Sequence, residues 1–165
     1  MRSATEVRRE LELLLRTRCP AVGLVTWEEA RTLRLVREVA RQLSPGRELF
    51  TWSAGQGLRQ EGQPVLGLPT PCSLIEALGA VGDYKGPAIF VFLDAGLENA
   101  DAARCVRDLC SSTGGQPRSL VFIAPGVTLH PTLSRLIPVL EVPTPEKAEL
   151  KNILNAVASR CSAGG

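Results

Sequence analysis

The sequence predicts one α/β domain with three layers, in which helices flank an open, mostly parallel sheet of five strands. Five short apolar runs, each too short for a buried helix, alternate along the chain with stretches whose apolar residues recur at helical spacing. A chain of 165 residues, 44% hydrophobic and 22% charged, is also typical of one soluble domain. We therefore expect a single domain over residues 1–160 and a disordered tail over residues 161–165.

The first part of the chain predicts two helices and two strands. Apolar residues from Val7 to Leu15 predict an amphipathic first helix that ends before Pro20, and residues 21–26 predict a buried strand. Thr26 and Glu29 have capping-box spacing, which predicts that the second helix starts there and continues to a stop at residues 44–46. The second strand covers residues 49–52.

The middle of the chain is rich in glycine and proline. Residues 53–71 contain four glycines and three prolines, which predicts a long excursion with a small hairpin near residues 64–68. Ser73 and Glu76 form a second capping-box pattern and predict a short third helix.

The second half repeats the alternation of strand and helix. Strands are predicted at residues 88–93, 120–124 and 139–142, and helices at residues 101–110 and 132–137. Gly114 and Gly115 end the first of these helices. Thr144 caps a final helix with Pro145 at its first position, and its apolar residues are expected to face the core. These residues are Leu150, Ile153, Leu154 and Val157.

Ligands of open parallel sheets bind beyond the carboxyl ends of the strands. From this rule we predict a partner-binding surface at that edge, next to the excursion over residues 53–71. Its candidate residues are Trp27, Glu28, Trp52, Gly57 and Asp94.

The residues after the first strand are unsuited to phosphate. A phosphate loop needs glycines, a lysine and a serine or threonine, whereas residues 26–29 read Thr-Trp-Glu-Glu, with no glycine and two carboxylates. The sequence contains no Walker A pattern, and its single histidine, His130, lies beside Pro131 in a predicted turn. We therefore expect no catalytic residue, no metal ligand and no bound cofactor.

Two other functions remain open from the residues alone. Asp94 with Glu28 or Glu29 would serve a metal-dependent enzyme if the fold gathered these carboxylates, although Asp94 also suits a turn cap. Residues 1–47 hold ten arginines and six glutamates, a balance of +4, whereas the whole chain is only +2. This basic region offers a nucleic-acid surface through the second helix and residues Arg2, Arg8, Arg9, Arg16 and Arg18.

The cellular setting is predicted from cysteine usage and hydropathy. Five cysteines at irregular spacing are a poor disulfide framework and typical of a reduced compartment. No run approaches the roughly 18 apolar residues of a membrane helix, and no signal-peptide pattern is seen. A cytoplasmic protein without a membrane partner is expected.

Several short motifs, in this order and spacing, resemble the N-terminal region of an AAA+ ATPase family of cyanobacteria, red-algal plastids and other bacteria, known from a hypothetical chloroplast reading frame. They lie at residues 25–31, 49–53, 57–58, 73–78, 90–94, 120–125 and 143–150. The resemblance extends from Thr5 to Val157. It implies a degenerate P-loop NTPase core of the AAA+ or RecA-like kind, without a Walker A loop.

The same resemblance implies a fold without hydrolysis. Asp94 matches the metal-side aspartate of a Walker B strand, but Ala95 replaces the catalytic glutamate, and Ala124 and Pro125 replace a polar sensor. The expected function is a non-catalytic domain for protein interaction, oligomer assembly or substrate recruitment. Its expected partners are another protein, its own ATPase module or further copies of the chain.

Overall fold

The computed structural model describes residues 2–43, 46–112 and 115–163. The fold of these residues contains five helices and seven strands. The helices are α1 (Ala4–Arg16), α2 (Glu29–Gln42), α3 (Leu74–Asp83), α4 (Ala100–Ser111) and α5 (Lys147–Ala163). The strands are β1 (Ala21–Val25), β2 (Glu48–Ser53), β3 (Gly57–Gln60), β4 (Gln63–Pro64), β5 (Ala88–Leu93), β6 (Arg118–Ala124) and β7 (Val139–Glu141).

All strands belong to one mixed sheet in the order β4-β3-β2-β5-β6-β1-β7. The five predicted strands, β1, β2, β5, β6 and β7, are parallel to one another, and β3 and β4 are antiparallel additions beside β2. The α/β class and the parallel core are thus confirmed. The strand count is seven instead of five because the glycine-rich excursion itself pairs with the sheet.

Helices cover both faces of the sheet. Residues of α1 and α2 pack with Ile89 and Val91 of β5, whereas residues of α3 and α4 pack with Phe90 and Phe92 of the same strand. Alternate side chains of β5 therefore enter two different apolar clusters, one on each face of the sheet. This two-sided burial explains why the strand is apolar without interruption.

The excursion is mostly a hairpin. β3 and β4 are joined by Glu61 and Gly62, which both have positive φ, as a two-residue type I′ turn requires. The hairpin therefore covers residues 57–64, earlier in the chain than predicted. The outer strand β4 is only two residues long and ends in proline. The opposite outer strand, β7, begins directly after Pro138, and one residue separates its end from Pro143.

The capping-box predictions had mixed outcomes. The box of Ser73 and Glu76 is confirmed, and hydrogen bonding from the backbone of Ser73 lowers the pKa of Glu76 below its usual value. The predicted box of Thr26 and Glu29 is wrong, because α2 begins with Glu28 as its cap and without a capping side chain. An unpredicted capping box of Ser3 and Glu6 caps α1.

Two helix predictions near the C-terminus needed correction. Residues 132–137 do not form the predicted α-helix. They form successive turns, in which the amides of Leu136 and Ile137 both donate to the carbonyl of Leu133. The last helix begins at Lys147, later than Thr144 and Pro145. Among the predicted helix stops, Ser44, Pro45 and Gly114 lie outside the described residues, as do residues 164–165 of the predicted tail.

Helix α5 lies on the surface and buries none of its described residues. The apolar side chains that were expected to face the core are between 43% and 67% exposed: Leu150, Ile153, Leu154 and Val157. Its helical turns continue through residues 161–163, which had been assigned to the tail. The periodic pattern correctly indicated a helix, but not the side on which its apolar face lies.

Candidate functional site

The turn between β1 and α2 lies where a phosphate loop follows the first strand. It consists of three residues, Thr26 to Glu28. The amide of Thr26 donates to the carbonyl of Ala124 at 2.9 Å, and the amide of Glu28 donates to the hydroxyl of Thr26 at 2.9 Å. A Walker A loop spans about eight positions and points free amides at the phosphates. This turn is too short for that, and these two amides are already paired.

A small crevice of about 170 Å³ adjoins this turn, between the carboxyl ends of β1 and β7. It is lined on one side by Trp27 and Glu28 and on the other by Glu141 and Thr144. The Trp27 side chain is 86% exposed. Two carboxylates and an exposed indole disfavour a phosphate and favour an uncharged or cationic contact.

Arg31 on α2 joins three parts of the chain beside the crevice. Its Nη1 donates to Glu28 Oε2 and to the carbonyl of Pro143, both at 2.9 Å. Its Nη2 donates to both carboxylate oxygens of Glu149 at 3.0 Å, and its Nε donates to Glu149 Oε1 at 3.1 Å. Arg31 therefore fastens the start of α5 to α2.

The Arg31 contact could be predicted only in part from sequence. Glu28 and Arg31 are three residues apart on a helical stretch, a spacing that indicates an ion pair. Glu149 is 118 residues away, and no local pattern indicates that contact.

Replacing Arg31 with alanine should free α5. We expect a loss of about 1–2 kcal/mol in the free energy of unfolding, because charge-assisted hydrogen bonds are lost at partly exposed groups. Hydrogen exchange followed by mass spectrometry should show faster exchange in residues 147–163 than in the wild type. Arg104→Ala, which removes an exposed ion pair with Asp108, is the control and should change neither quantity. Unchanged exchange in α5 would contradict the proposed role of Arg31.

The five predicted binding residues do not form one surface. Trp27 and Glu28 share the β1–α2 turn, and Asp94 is exposed with a positive φ after β5, two strands away. Trp52 does not lie on a binding surface, in contrast to the prediction, because its side chain is only 5% exposed and its Nε1 donates to the Cys72 carbonyl at 3.1 Å. Gly57 is also buried, with its Cα against the backbone of residues 71 and 72. Both residues belong to the core.

The carboxylate hypothesis finds no support in the geometry. Among the residues that the structure describes, no group of three or more His, Cys, Asp or Glu side chains could hold a metal ion. Glu28 binds Arg31, and the sheet order separates it from Asp94 by β6.

The basic N-terminal region is paired with its own glutamates only in part, because Arg9, Arg18, Arg34, Arg37 and Arg41 form no ion pair within the described residues. Arg2 binds Glu10, Arg8 binds Glu38, and Arg16 binds Glu12. Arg47 is partly buried and donates to Ser119 and to a main-chain carbonyl. At the paired arginines, a nucleic acid would have to compete with these carboxylates.

Four of the five cysteines are consistent with a packing role, whereas Cys161 is exposed on α5. Cys72 is buried, and Cys19, Cys105 and Cys110 are half-buried. Burial raises the pKa of the Cys110 thiol to about 11, which keeps it protonated and unreactive near neutral pH. His130 is half-buried in the segment after β6, and its Nδ1 lies 2.9 Å from the hydroxyl of Thr132.

The sheet and the β1–α2 turn together define the class of protein. The parallel strands, numbered one to five along the chain, lie in the order 2-3-4-1-5 with helices on both faces. This is an α/β core of AAA type in which a three-residue turn stands in place of the phosphate loop.

Residues 7–142 match the family described as SpoVK-like AAA ATPase, N-terminal domain, and the chain belongs to this family. A protein of Guillardia theta, called uncharacterized AAA domain-containing protein ycf46, is 24% identical over 149 residues. These residues cover 88% of this chain and 29% of that protein, so the chain spans less than a third of this relative. The family inferred from the sequence motifs is thus confirmed. Within the described residues, no helix is long and apolar enough to cross a membrane.

Proposed function

We propose that this N-terminal domain is non-catalytic and serves an AAA ATPase by contacting other proteins, for assembly or for recruitment of substrates. The observation that carries the proposal is Trp27, an indole that is 86% exposed on a turn fixed at both ends by hydrogen bonds. Exposed tryptophans on rigid supports are strong contributors to protein interfaces, because they bury a large area with little loss of conformational freedom.

Three features support a role without hydrolysis. The β1–α2 turn is too short to surround a phosphate, and the crevice beside it carries Glu28 and Glu141. Asp94 is followed by Ala95, which has no carboxylate to activate water. The parallel sheet therefore acts as a support for the Trp27 turn. The proposal also includes contact between copies of the chain.

A photo-crosslinking experiment tests this proposal. A benzophenone amino acid is placed at Trp27, and in a matched protein at Leu66, which is 96% exposed on the hairpin side of the sheet. After irradiation in cells, we expect defined crosslinked protein species at position 27 and not at position 66, because only the first lies at the interface. Gel analysis and mass spectrometry identify the species, including a second copy of the chain.

Two results would contradict the proposal, one from the crosslinking in cells and one from ATP measurements on the purified chain. Equal crosslinking at both positions would mean that Trp27 is merely exposed. ATP turnover, or an ATP affinity in the micromolar range measured by calorimetry on the purified chain, would show nucleotide chemistry and overturn the non-catalytic role.

A further inference from the structure

A second and larger depression lies away from the Trp27 crevice. It is a groove of about 430 Å³, open to solvent, between the first turn of α1, one face of α2 and the start of α5. Its lining combines three arginines, the two carboxylates of Glu38 and Glu149, and polar and apolar side chains. The residues that carry the argument are Ala4, Thr5, Arg8, Thr32, Arg34 and Ile153.

The first turn of α1 lines this groove through Ala4 and Thr5. The capping box pairs the amide of Ser3 with Glu6 and the amide of Glu6 with the Ser3 hydroxyl. The amides of the two residues between them, Ala4 and Thr5, have no partner within the described chain, and both residues line the groove. Free amides at a helix start favour a negatively charged group.

Thr32 provides an independent indication of a ligand. Its side chain is fully buried and lines the groove, and its Oγ1 has no hydrogen-bond partner among the described residues. Buried hydroxyls are almost always hydrogen-bonded, since leaving one unpaired is costly. A ligand in the groove would supply the missing partner.

The charges of the groove specify the kind of ligand. Arg8 is bound to Glu38, and Arg31 is bound to Glu28 and Glu149, so these charges are balanced. Arg34 is exposed and forms no ion pair within the described residues, which leaves one uncompensated positive charge. Beside it lie the apolar side chains Leu35, Val142 and Ile153.

We propose that this groove binds an acidic, aliphatic peptide segment of a protein partner. A carboxylate of the segment contacts Arg34 and the free amides of α1, and an aliphatic side chain covers Ile153. A peptide fits better than a small molecule, because the groove is open along one side and small-molecule sites enclose most of their ligand. This inference goes beyond the proposed function and concerns a different surface from Trp27.

Fluorescence anisotropy with labelled short peptides tests the inference. The probe is a pool composed of Asp, Glu, Leu and Ile, and a matched pool has Asn and Gln in place of the acids. We expect saturable binding of the acidic pool by the wild type, weakened about tenfold in Arg34→Ala, because a charge-assisted contact is lost. Arg41→Ala, the same charge change two turns along α2 and outside the groove, should bind like the wild type. Trp27→Ala should also bind normally, which separates this result from the proposed function.

Three results would overturn the inference. These are the absence of saturable binding up to about 1 mM peptide, equal weakening by Arg34→Ala and Arg41→Ala, and equal affinity for the amide pool. Displacement of the peptides by inorganic phosphate at similar concentration would assign the groove to a phosphate instead and would also overturn it.

A second variant isolates the buried hydroxyl. Thr32→Val keeps the branched shape and removes Oγ1, so we expect a higher melting temperature of the free domain, because an unpaired buried hydroxyl is gone. The same variant should bind the acidic pool several times more weakly. A higher melting temperature with unchanged affinity would show that the hydroxyl does not face the ligand, and would overturn that part of the inference.

Discussion

Replacing Trp52 with alanine should lower the free energy of unfolding by about 3–5 kcal/mol, which is the usual cost of removing a large aromatic side chain from a core. The indole is 5% exposed, its ring lies 5.9 Å from that of Phe92, and its Nε1 donates to the carbonyl of Cys72. The variant loses this packing and leaves the Cys72 carbonyl unpaired. Urea unfolding followed by far-ultraviolet circular dichroism measures the change.

Trp27 offers a matched control for this experiment. It is the other tryptophan of the chain and lies in the turn after β1, where its side chain is 86% exposed. Trp27→Ala should change the free energy of unfolding by less than about 0.5 kcal/mol. Similar losses in the two variants would mean that Trp52 is not the core residue described above.

Gly57→Ala is the second substitution with a large expected effect, about 2–4 kcal/mol of lost stability. Gly57 has a φ of +69°, and a Cβ there would lie 2.8 Å from the amide nitrogen of Cys72 and 3.1 Å from Cα of Pro71. Both neighbours are backbone atoms that cannot rotate aside. The cost combines the left-handed conformation with overpacking. Thermal and urea unfolding of the variant measure it.

Gly62→Ala separates these two contributions. Gly62 also has a positive φ, +79°, but a Cβ there would meet nothing within 4 Å. This control should therefore show only the conformational cost of about 1–2 kcal/mol. If Gly57→Ala cost no more than Gly62→Ala, the close approach to Cys72 would carry no energetic weight.

The parallel strands were predictable because their environment leaves a clear pattern. β5 and β6 are covered by helices on both faces, so nearly every position is apolar, and a run of this length cannot be a buried helix. The start of α3 was predictable for a local reason, because a capping box is formed by residues three apart.

The hairpin and the burial of Trp52 depend on contacts that no local pattern encodes. Gly57 to Gln60 lacks the alternation of a strand, and its pairing places Leu58 opposite Trp52. The hairpin turn itself, Glu61 and Gly62, has positive φ at both residues and lies before the hairpin predicted near residues 64–68. Trp52 was selected by the strand-end rule, whereas its indole is buried, donates to the Cys72 carbonyl and lies in the same core cluster as Leu58.

The strand-end rule indicated only some of the residues that line the two candidate surfaces. The strand-end rule selected the β1–α2 turn, and the exposed Trp27 lies there. Arg31, Thr32 and Arg34 were not selected, because their roles arise from α1 and α5 packing against α2. An amphipathic helix has the same apolar pattern whether its apolar face packs on the core or meets solvent. Periodicity alone therefore led to the incorrect prediction that the apolar face of α5 is buried.

The two outer strands of the sheet affect how the protein behaves at high concentration. β4 has only two residues and ends in Pro64, while β7 has three and lies between Pro138 and Pro143. Proline has no amide hydrogen to donate, and such short strands give an incoming chain little to pair with. Both outer strands thus resist the strand-to-strand stacking that leads to aggregation, and fibril formation through the intact sheet is disfavoured.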